Sequence, residues 1–231
     1  MSDVTSRILY EDNHIIVVNK APGELSQGDK SDDRTLADDI KDYLKEKYNK
    51  PGNVFLGIVH RLDRPTSGAI VYAKTDKALG RLNEEFRNGT ARKTYWAVTD
   101  ALPNGKEEGL LVHYLVRNSE NNTSRALLQS RPDAQEARMT YKCIGASKSF
   151  FLLEIELLTG RHHQIRAQLQ RCNVHVRGDL KYGFPRSLEN GGIDLHARKL
   201  ELVHPVTKEN LTIVAPTPQN DPVWSYFDLQ L

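Results

Sequence analysis

A chain of 231 residues with 39% hydrophobic and 27% charged side chains can bury a substantial core unaided, which excludes extended disorder and any need for a structural metal or disulfide. The formal charge of +2 gives little long-range attraction to a polyanion, so affinity for nucleic acid has to come from local clusters such as Arg87, Arg92 and Lys93, or Arg161, Arg166, Arg171, Arg177 and Lys181. Cys143 and Cys172 form no CxxC pair and read as buried thiols, the N-terminus has no signal pattern, and no apolar run reaches the roughly 18–20 residues of a membrane span, so cytoplasmic residence is expected.

In chain order, ILYEDNHIIVVNK at 8–20 reads as a β-hairpin turning at Asp12-Asn13. After an acid-rich stretch within 29–46, residues 35–48 carry Leu36, Ile40, Tyr43, Leu44 and Tyr48 at helical spacing behind a Thr35 cap. Residues 57–74 read as strand, polar loop, strand. Thr75 then caps a helix through Asn88, with Asp76 near its positive end and Gly89 as its stop, and ARKTYWAVT supplies the next strand. GLLVHYLV, ARMTYKCI and FFLLEIELL suggest an antiparallel meander between 109 and 158, broken at 117–125 and 145–149. HHQIRAQLQRC is a short helix with Ile165, Leu169 and Cys172 inward, and RKLELVHP and LTIVAP are late strands. This pattern predicts an α+β fold with a mixed, mainly antiparallel central sheet and flanking helices. No repeat, low-complexity tract or linker marks a boundary, so residues 1–231 are expected to form a single domain.

Two polar groups stand out. His60, Arg61, Asp63, Arg64, Thr66 and Ser67 occupy a loop between strands, a common way to present catalytic groups, although the same residues suit a surface turn with an Arg–Asp ion pair. Arg161, His163, Gln164 and Arg166 fall at a helix start, where free N–H groups and the positive dipole end favour phosphate. An ordinary basic helix fits them equally. The adjacent histidines do not form the HExxH pattern, so no metal site is expected.

Taken together, these stretches resemble one family. HRLDRPTSG at 60–68 is similar to the signature loop of the RluA-type pseudouridine synthases, with the catalytic Asp at Asp63. The resemblance continues in EDNHIIVVNKAPG (11–23), ARKTYWAV (91–98), LTGRHHQIR (158–166), GDLKYG (178–183) and LHARKLELVHP (195–205), in family order over nearly the whole chain. It implies the pseudouridine synthase catalytic fold and a cofactor-free isomerisation. The uridine N1–C1′ bond breaks, the uracil turns, C5 joins C1′ and the C5 proton leaves, with Asp63 acting either by attack at C1′ or through a glycal.

A carboxylate in a site partly closed to water needs a cation to stay ionised. By resemblance that cation is Arg166, able to hold a carboxylate bidentately. Tyr95 matches the family's active-site tyrosine, placed against the uracil and near its C5 proton. The target nucleotide has to leave the stack, and Arg61 matches the position that enters the RNA. Arg64 and Lys93 are candidate RNA contacts. Arg161, His163 and Gln164 either touch RNA or orient their motif. His60 is expected to brace the loop by a hydrogen bond, with Thr66, Ser67 and Gly68 shaping it.

The chain departs from the family pattern in two places. Gln168 stands where the family commonly has His, and the hairpin motif begins within the first dozen residues, as expected of a catalytic domain without an N-terminal S4 domain. The expected partner is ribosomal or transfer RNA, with no membrane and a monomeric state. Two other readings are an RNA-binding or ribosome-assembly factor of the same fold without chemistry, and a glycosidase or nucleoside hydrolase, which commonly needs a second carboxylate such as Asp179 or Glu156.

Overall fold

The structure, a computed structural model, describes residues 4–28, 33–219 and 221–229. Asp29 and Asp32 of the acidic stretch lie outside the described residues. Among those described there are eleven strands and four α-helices, an α+β architecture with mainly antiparallel strand pairing, as the sequence predicts. They group into two compact units, one drawn from Met1–Arg92 and Ala197–Thr217, the other from Lys93–His196 and Pro218–Leu231. Two of the three passages between units fall within strands, at Arg92–Lys93 and His196–Ala197, and the third, at Thr217–Pro218, lies between the last strand and the last helix.

In the first unit β1 (Ile8–Glu11) pairs antiparallel with β2 (Ile15–Lys20). Between them Asp12 Oδ1 accepts the N–H groups of His14 at 2.7 Å and Ile15 at 2.8 Å, an Asx turn that ends the first strand. β2 pairs antiparallel with β4 (Ser67–Ala73), as does the short β3 (Gly57–Ile58). β10 (Leu195–Val203), paired with β11 (Asn210–Val214), lies beside β4. Ile15–Val18 and all of β4 are buried. Burial on both faces is why IIVV reads as a continuous apolar run instead of an alternation. Ile15, Val17, Val71, Leu200 and Ile213 share a core with Ala78 and Leu82 of α2 (Asp76–Asn88).

Both helices of this unit follow their local signals. Thr75 Oγ1 accepts the Ala78 N–H at 3.2 Å and Gly89 ends α2 with φ of 72°. At α1 (Leu36–Lys47), Thr35 Oγ1 accepts the Asp38 N–H and Asp38 Oδ2 accepts the Thr35 N–H, both at 3.2 Å, a reciprocal capping box. Leu36, Ile40 and Leu44 are buried as their spacing predicts. Tyr43 and Tyr48 are not core residues. Their hydroxyls donate to Glu11 at 2.8 Å, and Tyr48 is 42% exposed, because a phenol can leave its polar tip wet while bonding a carboxylate. Partial burial would raise the Glu11 pKa, but bonds from Lys47, Lys74, Tyr48 and Tyr43 draw it down to about 2.

In the second unit β5 (Arg92–Thr99, from Lys93 onward), β9 (Phe151–Leu157), β8 (Gln135–Ala146), β6 (Glu108–Asn118) and β7 (Thr123–Leu127) lie in that order, each antiparallel to the next. The stretch 117–125, expected as a break, is instead the end of β6, a tight turn and the start of β7. β6 therefore sits between β7 and β8. β8 presents Ala137, Met139 and Tyr141 to the interior, whereas β7 buries only Ser124 and Ala126 and takes the edge. α3 (Gln164–Arg171) packs on β6 and β7. α4 (Pro222–Asp228), capped by Asp221, carries Trp224 and Phe227 onto Trp96, Val98 and Leu152. Cys143 and Cys172 are half-buried rather than fully enclosed, and burial still pushes both thiol pKa values up. No helix among the described residues is long and apolar enough to cross a membrane.

Candidate active site

The expected site residues divide between the units. His60–Gly68 lie in the first, and Lys93, Tyr95 and the 161–166 motif in the second.

The first group forms the loop from β3 to β4. Ser26 Oγ donates to the Leu62 carbonyl at 2.9 Å and accepts the Leu62 N–H at 3.2 Å, while Tyr72 donates its hydroxyl to the Ser26 carbonyl at 2.7 Å. His60 Nε2 accepts the Val71 N–H at 3.1 Å and its ring lies 4.7 Å from that of Phe86, contacts that tie the loop to β4 and α2. The Thr66 N–H donates to the Asp63 carbonyl at 3.0 Å, closing a turn that begins at the half-buried Asp63. Gly68 has φ of 115°, and a Cβ there would fall 2.4 Å from the Ala197 carbonyl oxygen; only glycine fits. The Thr66 hydroxyl does not satisfy the backbone. It is buried without a hydrogen-bond partner among the described residues. Arg61 is exposed. Arg64 donates to the Gly23 carbonyl at 3.1 Å and to Asp33 at 2.9 Å, tying the loop to the preceding segment.

Lys20 is the residue that sequence reasoning missed here. The register of β2 on β4 sets Lys20 opposite Gly68, so NKAPG runs beside the signature loop. Lys20 is 1% exposed and its ammonium donates to the carbonyls of Ala21, Glu24 and Arg64 at 3.0, 2.8 and 2.9 Å. Three acceptors match the three N–H groups of the charged form. Burial pushes its pKa down to about 7, against the opposing attraction of Glu24 and Asp63. The motif was visible, but nothing in its spacing says that it grips a loop so distant in sequence.

In the second unit Tyr95 is 8% exposed on β5, opposite Ile155 of β9. Lys93 is half-buried, and burial lowers its pKa. Arg161 is exposed and donates from Nε to the Glu136 carbonyl at 3.0 Å. Gln164 is a brace. Its Oε1 accepts from Thr159 Oγ1 at 2.8 Å and from the Arg161 N–H at 3.0 Å, and its Nε2 donates to the Arg138 carbonyl at 3.0 Å. His163 precedes α3 in the left-handed region, with φ of 51°. Its ring stacks on His162 at 3.8 Å and its Nδ1 lies 2.8 Å from the Tyr182 hydroxyl. Burial, reinforced by the Arg166 charge, pushes the His163 pKa down to about 2, so the ring is neutral.

Arg166 is 4% exposed and donates from Nε and Nη2 to the two oxygens of Asp179 at 2.7 and 2.8 Å. Both Asp179 oxygens are thereby engaged, which argues against its use as the second acid of a hydrolase. Glu156 is half-buried on β9. Gln168, the departure from the family pattern, is fully buried, and its Nε2 reaches the carbonyls of Leu111 and Ala137 at 3.2 Å and His113 Nδ1 at 3.1 Å. It acts as scaffold for β6 and β8.

A solved structure titled human RNA pseudouridylate synthase domain containing 4 shares this fold, with a TM-score of 0.79 and 26% identity over 98% of this chain and 94% of that one. The fold is thus that of an RNA pseudouridylate synthase domain. A family model described as RNA pseudouridylate synthase matches residues 14–171, which takes in parts of both units. An uncharacterized RNA pseudouridine synthase of Synechocystis sp. is 33% identical over 215 residues, 91% of this chain and 65% of that one. A ribosomal large subunit pseudouridine synthase D of Zymomonas mobilis is 31% identical over 228 residues, 94% of this chain and 71% of that one. The chain spans about two thirds of the length of these bacterial relatives, and it belongs to the RNA pseudouridylate synthase family of isomerases.

Proposed function

We propose that this protein isomerises a defined uridine of ribosomal or transfer RNA to pseudouridine, without a cofactor, as a cytoplasmic monomer, with Asp63 as its catalytic carboxylate. The observation that carries this reading is the way the Asp63 loop is held. A turn closed on the Asp63 carbonyl, a buried Lys20 ammonium bonded to the neighbouring Arg64 carbonyl and a glycine pressed against β10 fix the backbone that carries the carboxylate. A rigid loop of this kind suits the presentation of one reactive side chain, and membership of the RNA pseudouridylate synthase family supports isomerisation as its chemistry. The same proposal takes from the family resemblance the roles of Tyr95 against the uracil, Arg166 as the cationic partner, and Arg61 in the gap left by the flipped base. Large-subunit ribosomal RNA is the first substrate to test, because the Zymomonas mobilis relative is named for it.

The test is a map of pseudouridine across total RNA from cells with and without the protein, restored with wild type or Asp63→Asn. Pseudouridine should disappear at a defined uridine and return only with wild type. Restoration by Asp63→Asn removes the carboxylate from the mechanism, and a map unchanged by loss of the protein favours an RNA-binding role without chemistry.

A further inference from the structure

Asp179 and Tyr182 belong to one tight turn. A 3₁₀ turn at Leu180–Tyr182 follows Asp179, and the Tyr182 N–H donates to the Asp179 carbonyl at 3.1 Å. Residues three apart on such a turn lie above one another, so the carboxylate and the phenol leave on the same side. Glycines close both ends. Gly178 has φ of 88° and a Cβ there would lie 2.6 Å from Leu188; Gly183 has φ of 104° and its Cβ would lie 2.9 Å from His175.

Both side chains grip Arg166. Asp179, 1% exposed, takes the Nε edge of the guanidinium through two hydrogen bonds, while the guanidinium carbon lies over the Tyr182 ring, 4.7 Å from its centroid. The bidentate pair and the ring contact together restrict the rotations a long side chain otherwise keeps. Nη1 takes no part in the Asp179 pair. The phenol is itself fixed, since its oxygen accepts the Ser124 N–H at 2.8 Å and lies within hydrogen-bond distance of His163 Nδ1 at 2.8 Å. On the neutral His163 ring Nδ1 accepts the phenol proton in one tautomer and donates its own in the other, and either bond holds the phenol. Ser124 Oγ in turn meets His162 Nδ1 at 2.9 Å.

We propose that Asp179 and Tyr182 are positioning residues for the isomerisation, acting through Arg166 by clamping its guanidinium in one orientation. The inference rests on the reading of Arg166 as a member of the pseudouridine synthase site. It assigns a purpose to GDLKYG: the glycines form the turn, and the acid and the tyrosine hold the arginine.

The experiment measures single-turnover release of tritium from RNA labelled at uridine C5, with RNA binding measured separately. Wild type is compared with Asp179→Asn, Tyr182→Phe, Tyr182→Leu and Arg166→Lys, and with Arg166→Lys combined with each of the others. Asp179→Asn and Tyr182→Leu should each slow release about 100-fold, the scale of an ångström of misplacement, with RNA affinity within about threefold. Tyr182→Phe, which keeps the ring and loses one hydrogen-bonding group, should slow it about tenfold.

On the Arg166→Lys background each should cost less than about threefold, because the group they position is gone. Equal losses on both backgrounds identify a merely structural role and overturn the proposal. If Asp179→Asn does not fold, the two Tyr182 variants decide. If Arg166→Lys has no measurable rate, hydrogen exchange of the Arg166 Nε–H decides: it should quicken in Tyr182→Phe, and wild-type protection alongside a slowed reaction refutes the clamp. Wild-type protein that releases no tritium from any cellular RNA refutes the pseudouridine synthase reading itself. Wild-type release with undiminished Asp179→Asn and Tyr182→Leu refutes only the positioning inference.

Discussion

Replacing Gly68 with alanine tests how tightly the Asp63 loop is tied to the sheet. A Cβ at this position would lie 2.4 Å from the carbonyl oxygen, 2.5 Å from the nitrogen and 2.7 Å from the carbonyl carbon of Ala197. These are backbone atoms of β10, so relief requires movement of a strand. Overpacking of this kind costs about 1–3 kcal/mol. The φ of 115° adds a further ~1–3 kcal/mol for a residue with a side chain. A loss of about 4 kcal/mol is therefore expected, which for a chain of this size lowers the melting temperature by roughly 8–16 °C. Gly80 is the matched control. It lies exposed in the middle of α2, nothing stands within 4 Å of its missing Cβ, and alanine there should stabilise by about 0.5–1 kcal/mol. Thermal and urea unfolding of both variants provide the measurement. If Gly68→Ala melts within roughly 2 °C of wild type, or if Gly80→Ala loses as much, the close approach to β10 is not what demands glycine.

Other consequences concern single polar groups. Ser26→Ala removes both partners of Leu62 and should cost about 1–3 kcal/mol in urea unfolding, whereas Thr66→Val replaces a buried hydroxyl that lacks a partner among the described residues and should leave stability unchanged or raise it. A larger loss in Thr66→Val than in Ser26→Ala reverses this assignment. For Glu11, whose carboxyl is drawn from 4.5 to about 2, the linked stabilisation is fully present above about pH 4.5 and is lost as pH falls toward 2. The shift corresponds to at most about 3 kcal/mol, on the order of 2 kcal/mol once screening at the half-exposed Lys47 is allowed for. The stability difference between wild type and Glu11→Gln should therefore shrink steadily over that interval, and a difference independent of pH contradicts the ion-pair account.

What the sequence by itself determined was everything governed by neighbours along the chain. Thr75 and Gly89 delimit α2 because a hydroxyl cap and a left-handed stop act within one helical turn. Asp12 turns the first hairpin through its own next residues. The motifs themselves, in family order, were enough to expect the α+β fold, the family and Asp63. Tyr48, by contrast, has the spacing of a core residue and is exposed, because Glu11 on β1 offers a better partner for its hydroxyl than the interior does.

Only the tertiary structure decided which residues hold the motifs in place. Lys20 meets the signature loop because of the register of β2 on β4, and Asp179 and Tyr182 meet Arg166 because a 3₁₀ turn stacks side chains three apart beneath α3. Register and strand order come from the summed burial of many apolar side chains, a property of no short segment. A sequence motif can therefore mark the loop that carries Asp63 while leaving unstated the lysine beside that loop and the side chains that hold Arg166.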